Sequence, residues 1–168
     1  MSEHILDCDI RSIAQALRAG VTSSEELVDE AARRHVTYGA AFNAYKHWDV
    51  DRARCEARAV DGLMSSGYDA GLLTGIPISL KDLYGVRGMP IYAGSPAELP
   101  KKWQEEGPVT EALRRARGVI MGKTHTVEFA YGGVGTNSHW GAPVNPWDSD
   151  THRVTGGSSS GAGVSLSQ

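Results

Sequence analysis

The sequence predicts an α/β protein. Helical apolar periodicity runs through four stretches, three short runs read as strands, and helix alternates with strand beyond residue 70. The chain has 168 residues, 40% of them hydrophobic and 22% charged. That is enough for one hydrophobic core and a single domain without disulfide or metal staples.

Residues 9–19 read as a short amphipathic helix, capped by Asp9, with Ile13, Ala14 and Leu17 on one face and Gly20 at its end. Ser23 and Glu26 have capping-box spacing. Leu27, Val28, Ala31 and Ala32 carry a second helix to about His35. Phe42-Asn43-Ala44-Tyr45 is a candidate strand. Ala53, Ala57, Val60, Leu63 and Met64 mark a third helix from about Asp51 to Ser65, closed by Gly67. Gly75 to Asp82 alternates apolar with small or polar residues and reads as a strand, with Pro77 early and Lys81 at the end. Pro108 starts a helix through Val109, Ala112, Leu113 and Ala116, and Gly118 stops it. Val119-Ile120-Met121 is a short buried strand. Residues 132–146 are loop by composition.

Lys plus Arg number 17 and Asp plus Glu 20, a formal charge of −3. Such a balance argues against nucleic acid or an anionic membrane as the main partner. No apolar run reaches membrane-spanning length, and the N-terminus has no basic stretch leading into an apolar core. Cys8 and Cys55 fit no CxxC or zinc spacing and read as reduced thiols in a cytoplasmic protein. The histidines show no HxxxH or HExxH pattern, so no metal is expected. His125 and Glu128, three apart, can share a helical face. Gly118 to Thr124 is one residue short of a phosphate loop, and Lys123 taken singly is an exposed strand-end lysine.

Glycine is the compositional anomaly. There are 20 glycines, eight of them between Gly132 and Gly163, and the run Thr155-Gly156-Gly157-Ser158-Ser159-Ser160-Gly161 dominates the end of the chain. Composition leaves three readings open: a flexible linker, a phosphate cradle, or a catalytic loop in which a serine carries the chemistry. Ser160 can serve as a cap for the helix that follows.

Taken together, the motifs resemble the amidase signature family. Gly75-Ile76-Pro77-Ile78-Ser79-Leu80-Lys81-Asp82, followed by Gly88 and Gly94-Ser95, is similar to that family's lysine strand. Gly122-Lys123-Thr124 with Glu128-Phe129-Ala130, then Gly141 to Trp147, then Gly156 to Gly161, resemble its later motifs in order, so the likeness covers nearly the whole chain. The resemblance implies a mixed twisted sheet flanked by helices, incomplete in this chain. Residues 1–70 form a mostly helical lead-in and 71–168 the sheet and catalytic-loop portion of one domain.

That family hydrolyses carboxamides, and some members transfer the released ammonia. By resemblance Lys81 is the catalytic lysine and Ser158 a serine in a cis peptide that relays protons between Lys81 and a nucleophilic serine. Ser159 supports the pair by hydrogen bonding. Gly157, lacking a Cβ, eases crowding at the cis bond. Ala130 and Tyr131 align with a stretch lining the acyl pocket; core packing is their ordinary reading. Lysine acts as a base only when neutral, so burial must lower its pKa. The chain departs from the family pattern at His125, usually Asn, at Thr155, often Pro, and at Met89-Pro90-Ile91. The family's nucleophile belongs to a second Gly/Ser motif downstream of Ser158, which residues 159–168 do not resemble. The expectation is an N-terminal amidase fragment, inactive by itself, whose parent acts on a small-molecule amide without cofactor, nucleic acid or membrane; a homo-oligomer is left open. The alternatives are an amide-transfer subunit of the glutaminyl- or asparaginyl-tRNA amidotransferase type, a non-catalytic binding module, and a truncated interaction protein.

Overall fold

The computed structural model describes residues 4–148 and 150–167. Met1–Glu3 and Gln168, read above for a leader and a cut point, lie outside the described residues. The helices are α1 (Ile10–Arg18), α2 (Ser24–Arg34), α3 (Ala40–Phe42), α4 (Val50–Ser65), α5 (Pro108–Arg115) and α6 (Ser160–Leu166). The strands are β1 (Tyr45–Trp48), β2 (Pro77–Lys81) and β3 (Val119–Thr124). They form a three-stranded sheet in the order β1-β3-β2. β1 runs antiparallel to β3, with Tyr45 opposite Thr124 and Trp48 opposite Gly122. Val119 N donates to Ile76 O and Asp82 N to Thr124 O, so β2 and β3 advance together and are parallel. The sheet is mixed, as the resemblance implied.

The chain divides into two compact units. The first, Met1–Arg33 with Asp49–Ile78 and Glu111–Met121, is mostly helical. Its core gathers Ile13, Leu17, Leu27 and Ile76, with Ile5, Leu6, Cys8 and Met64 packed against them. Leu27 is completely buried; removing a leucine of this size from water contributes roughly 1.5–3 kcal/mol. The helix ends follow the sequence signals. Asp9 Oδ1 accepts from Arg11 N at 2.8 Å and Ser12 N at 3.0 Å. Glu26 N donates to Ser23 Oγ and Ser23 N to Glu26 Oε2, a complete capping box. One cap is not visible in local sequence: the Asp61 carboxylate, late in α4, accepts from Ser24 N and Glu25 N at the start of α2.

The second unit is Arg34–Trp48, Ser79–Thr110 and Gly122–Gln168. α2 runs on into a π-helical turn, His35–Gly39. The strand expected at 42–45 begins instead at Tyr45. Asn43 has φ +51°, a left-handed conformation that ends α3 and cannot belong to a strand. β3 continues past the expected Met121 through Gly122-Lys123-Thr124. At Gly122 a Cβ would run into His47 O of β1, so glycine permits the pairing. Residues 132–146 are loop, as composition predicted. Among the described residues no helix is long and apolar enough to cross a membrane.

Candidate active site

β2 ends at Lys81, whose carbonyl accepts from Leu83 N and Tyr84 N in a tight turn. Side chains alternate along a strand, so Ser79 and Lys81 project to one side, Leu80 and Asp82 to the other. The alternation separates two charges adjacent in sequence. Asp82 turns into the protein and pairs with Lys123 Nζ at 2.6 Å, while its Oδ2 accepts from Tyr92 N at 3.1 Å. Lys123 also donates to Pro90 O at 2.7 Å. Both charged side chains are at most 1% exposed. Lys123 is therefore no exposed strand-end lysine: the extension of β3 carries it into the core, where only a paired charge is tolerated.

Lys81, by contrast, has no carboxylate partner among the described residues. Its Nζ donates to Ser158 Oγ at 2.6 Å, and burial pulls its pKa below the ordinary lysine value. On the same side of the sheet the Tyr45 hydroxyl faces the Ser79 and Ser165 side chains, and burial raises its pKa.

Ser158 is half-buried, in a loop that is closely approached by backbone at Gly157. The Gly157–Ser158 peptide is cis. Ser158 O accepts from Val127 N at 3.0 Å and from Thr126 Oγ1 at 3.0 Å. A Cβ on Gly157 would lie 2.9 Å from Gly135 N and 3.0 Å from Gly132 O. Glycine here makes room for close backbone approach, which disposes of the flexible-linker reading. Ser159 is exposed and its side chain makes no hydrogen bond among the described residues; its carbonyl accepts from Ala162 N. Ser160 is not a cap. It is the first residue of α6, buried, with its Oγ unpartnered among the described residues.

Ala130 is half-buried with φ +58°. Tyr131 is 92% exposed and so packs into no core. It lines an open depression with Val127, Glu128, Phe129, Thr136 and Asn137; Val127 is the residue whose N–H holds Ser158. His125 and Glu128 share no helical face. Residues 128–130 make only a short 3-10 turn, Glu128 meets His139 at 3.3 Å, and His125 turns to Asn43.

His125 is buried and its Nε2 lies 3.1 Å from Asn43 Oδ1. The Asn43 amide nitrogen donates to Trp140 O, so the oxygen faces the ring and Nε2–H donates to it. Burial, then the nearby charge of Lys46, lowers the His125 pKa to about 4 from 6.5. Lys46 itself sits over the rings of Trp140 at 3.3 Å and Tyr92 at 4.2 Å. Between pH 6.5 and 4 the unfolded chain binds the proton that folded His125 refuses, so stability falls as pH falls through that window, by about 3 kcal/mol in total. Urea midpoints measured from pH 7 to pH 4 should show this loss. His125→Asn should flatten it, and an unchanged slope in that variant would contradict the assignment.

The profile of the amidase family matches residues 26–168. The chain belongs to the amidase family. It is 53% identical over 155 residues to the 2-amino-5-chloromuconic acid deaminase of Comamonas testosteroni, covering 92% of this chain and 34% of the relative. It is 40% identical over 157 residues to a glutamyl-tRNA(Gln) amidotransferase subunit of Cupriavidus necator, covering 94% and 30%. Among solved structures it resembles a crystal structure of an amidase, with TM-score 0.86, 34% identity and coverage of 95% and 36%. This amidase chain thus spans about a third of the length of the relatives it matches.

In this chain the structure brings together Lys81, Ser158 and Gly157, and Tyr131 lines a depression shared with Val127, whose N–H donates to Ser158 O. The Ser159 side chain is in no such network. Sequence reading missed Thr126, Val127 and Asn137. Thr126 and Val127 carry no local signal for their bonds to Ser158, which join residues about thirty positions apart.

Proposed function

We propose that the whole protein hydrolyses a carboxamide C–N bond through Lys81, Ser158 and a nucleophilic hydroxyl, releasing ammonia by way of an acyl-enzyme. The observation that carries this reading is the 2.6 Å contact between Ser158 Oγ and a Lys81 amine without a carboxylate partner among the described residues. A neutral amine takes the Ser158 proton while Ser158 takes the proton of the attacking hydroxyl. Attack on the carbonyl carbon forms the acyl ester. The proton returns along the same path to the departing nitrogen as the C–N bond breaks, and water then cleaves the ester. Among the described residues no second hydroxyl is hydrogen-bonded to Ser158 Oγ, so residues 1–168 by themselves should turn over no amide.

The substrate we favour is a small acid that also bears a carboxamide, its acid group in keeping with the 53% identity to the deaminase. The protein needs no cofactor, works in the cytoplasm, where its free Cys8 and Cys55 stay reduced, and contacts neither membrane nor nucleic acid directly. The amide-transfer reading rests on lower identities, such as 40%. Acid-quenched mass spectrometry of the whole protein with a small carboxamide tests the proposal. An acyl adduct on a serine with matching ammonia release supports it. Ammonia release without any adduct under rapid quench, or amide transfer to a charged tRNA in its place, overturns it.

A further inference from the structure

The Ser158 hydroxyl can serve Lys81 only if its peptide is held still, and the holding groups lie outside the Gly/Ser loop. Val127 N and Thr126 Oγ1 both reach Ser158 O at 3.0 Å. Thr126 is 1% exposed, so its hydroxyl is shut off from any substrate. Its single hydrogen is shared between Ser158 O and Val127 O, each at 3.0 Å. The Thr126 backbone is anchored in turn. Asn137 Nδ2 donates to Thr126 O at 3.1 Å and Gly94 O at 2.8 Å. Asn137 Oδ1 accepts from His139 N at 2.9 Å and Trp140 N at 3.0 Å. Every polar position of this buried amide is used, which fixes its orientation. Trp140 Nε1 closes the frame on Ser95 O at 2.7 Å.

We propose that Thr126 is a positioning residue for the proton relay: its hydroxyl, on a backbone clamped by Asn137, fixes the Ser158 peptide so that Ser158 Oγ stays on Lys81 Nζ. This rests on the Lys81–Ser158 reading above. Thr126→Val keeps the shape of the side chain and removes only the hydroxyl. Ser158 then loses one of two carbonyl anchors, its Oγ leaves Lys81, and water reaches the amine.

The experiment follows the labelling of Lys81 by an amine-selective dinitrophenylating reagent against pH, on the whole protein, with peptide mass mapping. Thr126→Val should raise the labelling midpoint by about half a pH unit or more, a roughly threefold slower reaction at pH 8. Thr126→Ser should restore it, and kcat against the small carboxamide should fall and recover in parallel while KM holds. Asn137→Ala, approached from the far side of the frame, should move the midpoint in the same direction. Ser158→Ala separates the two readings. A midpoint that shifts in Ser158→Ala but not in Thr126→Val overturns the positioning role and leaves the relay; no shift in either overturns the relay. Loss of the fold in both Thr126→Val and Asn137→Ala also overturns the proposal, since those bonds would then serve stability.

Discussion

Replacing Lys81 with alanine in the whole protein should lower kcat/KM for amide hydrolysis by about 10²–10⁴-fold, the usual worth of a positioned proton acceptor. Lys81→Arg should not restore it, because a guanidinium does not give up its proton at working pH. The pH profile follows from the direction of the shift. Burial lowers the Lys81 pKa from 10.5, and only the neutral amine can accept a proton. Activity therefore falls on the acid side of the Lys81 pKa, and this limb lies below the position of an ordinary lysine. The folded state also resists protonation more than the unfolded chain does, so Lys81 costs stability as pH drops through its folded pKa. Initial rates of wild type and both variants across pH check these points together. Turnover within a few-fold of wild type in Lys81→Ala would remove the lysine from the mechanism.

Lys123→Met should cost about 3–5 kcal/mol, because it leaves Asp82 charged and buried without a partner. For a chain of this size that is a fall in Tm of roughly 6–20 °C. Asp82→Asn should cost a comparable amount by stranding Lys123. The double variant Asp82→Asn/Lys123→Met should be much milder than the sum, since no charge is then left alone. Thermal and chemical denaturation of the three variants measure this. A loss below about 1 kcal/mol in Lys123→Met would show that the 2.6 Å pair does not carry the energy argued here.

Helix positions were legible because their signals are local. Asp9, the Ser23–Glu26 box, Pro108 and Gly118 act within one turn of themselves, and α1, α2, α4 and α5 begin and end close to where they predict. Lys81 and Ser158 were singled out only because the order of several motifs resembles a family; neither residue stands out by composition. The first strand was misplaced because Asn43 takes a left-handed conformation that a run of apolar neighbours does not reveal. Lys123 was misread because a lysine's exposure depends on whether a carboxylate meets it, and Asp82 is 41 positions away in the chain.

By itself, the sequence determined the α/β class, the positions of α1, α2, α4 and α5 and the resemblance that singles out Lys81 and Ser158. These rest on periodicity, caps and motif order, all carried by short stretches of chain. Only the tertiary structure decided which lysine is paired and which is available. It also decided that Gly122 and Gly157 serve close backbone approach, and that Thr126 and Asn137 stand behind Ser158. The reason is physical: charge pairing, desolvation and hydrogen-bond satisfaction depend on groups from distant segments, and their partners exist only once the chain has folded.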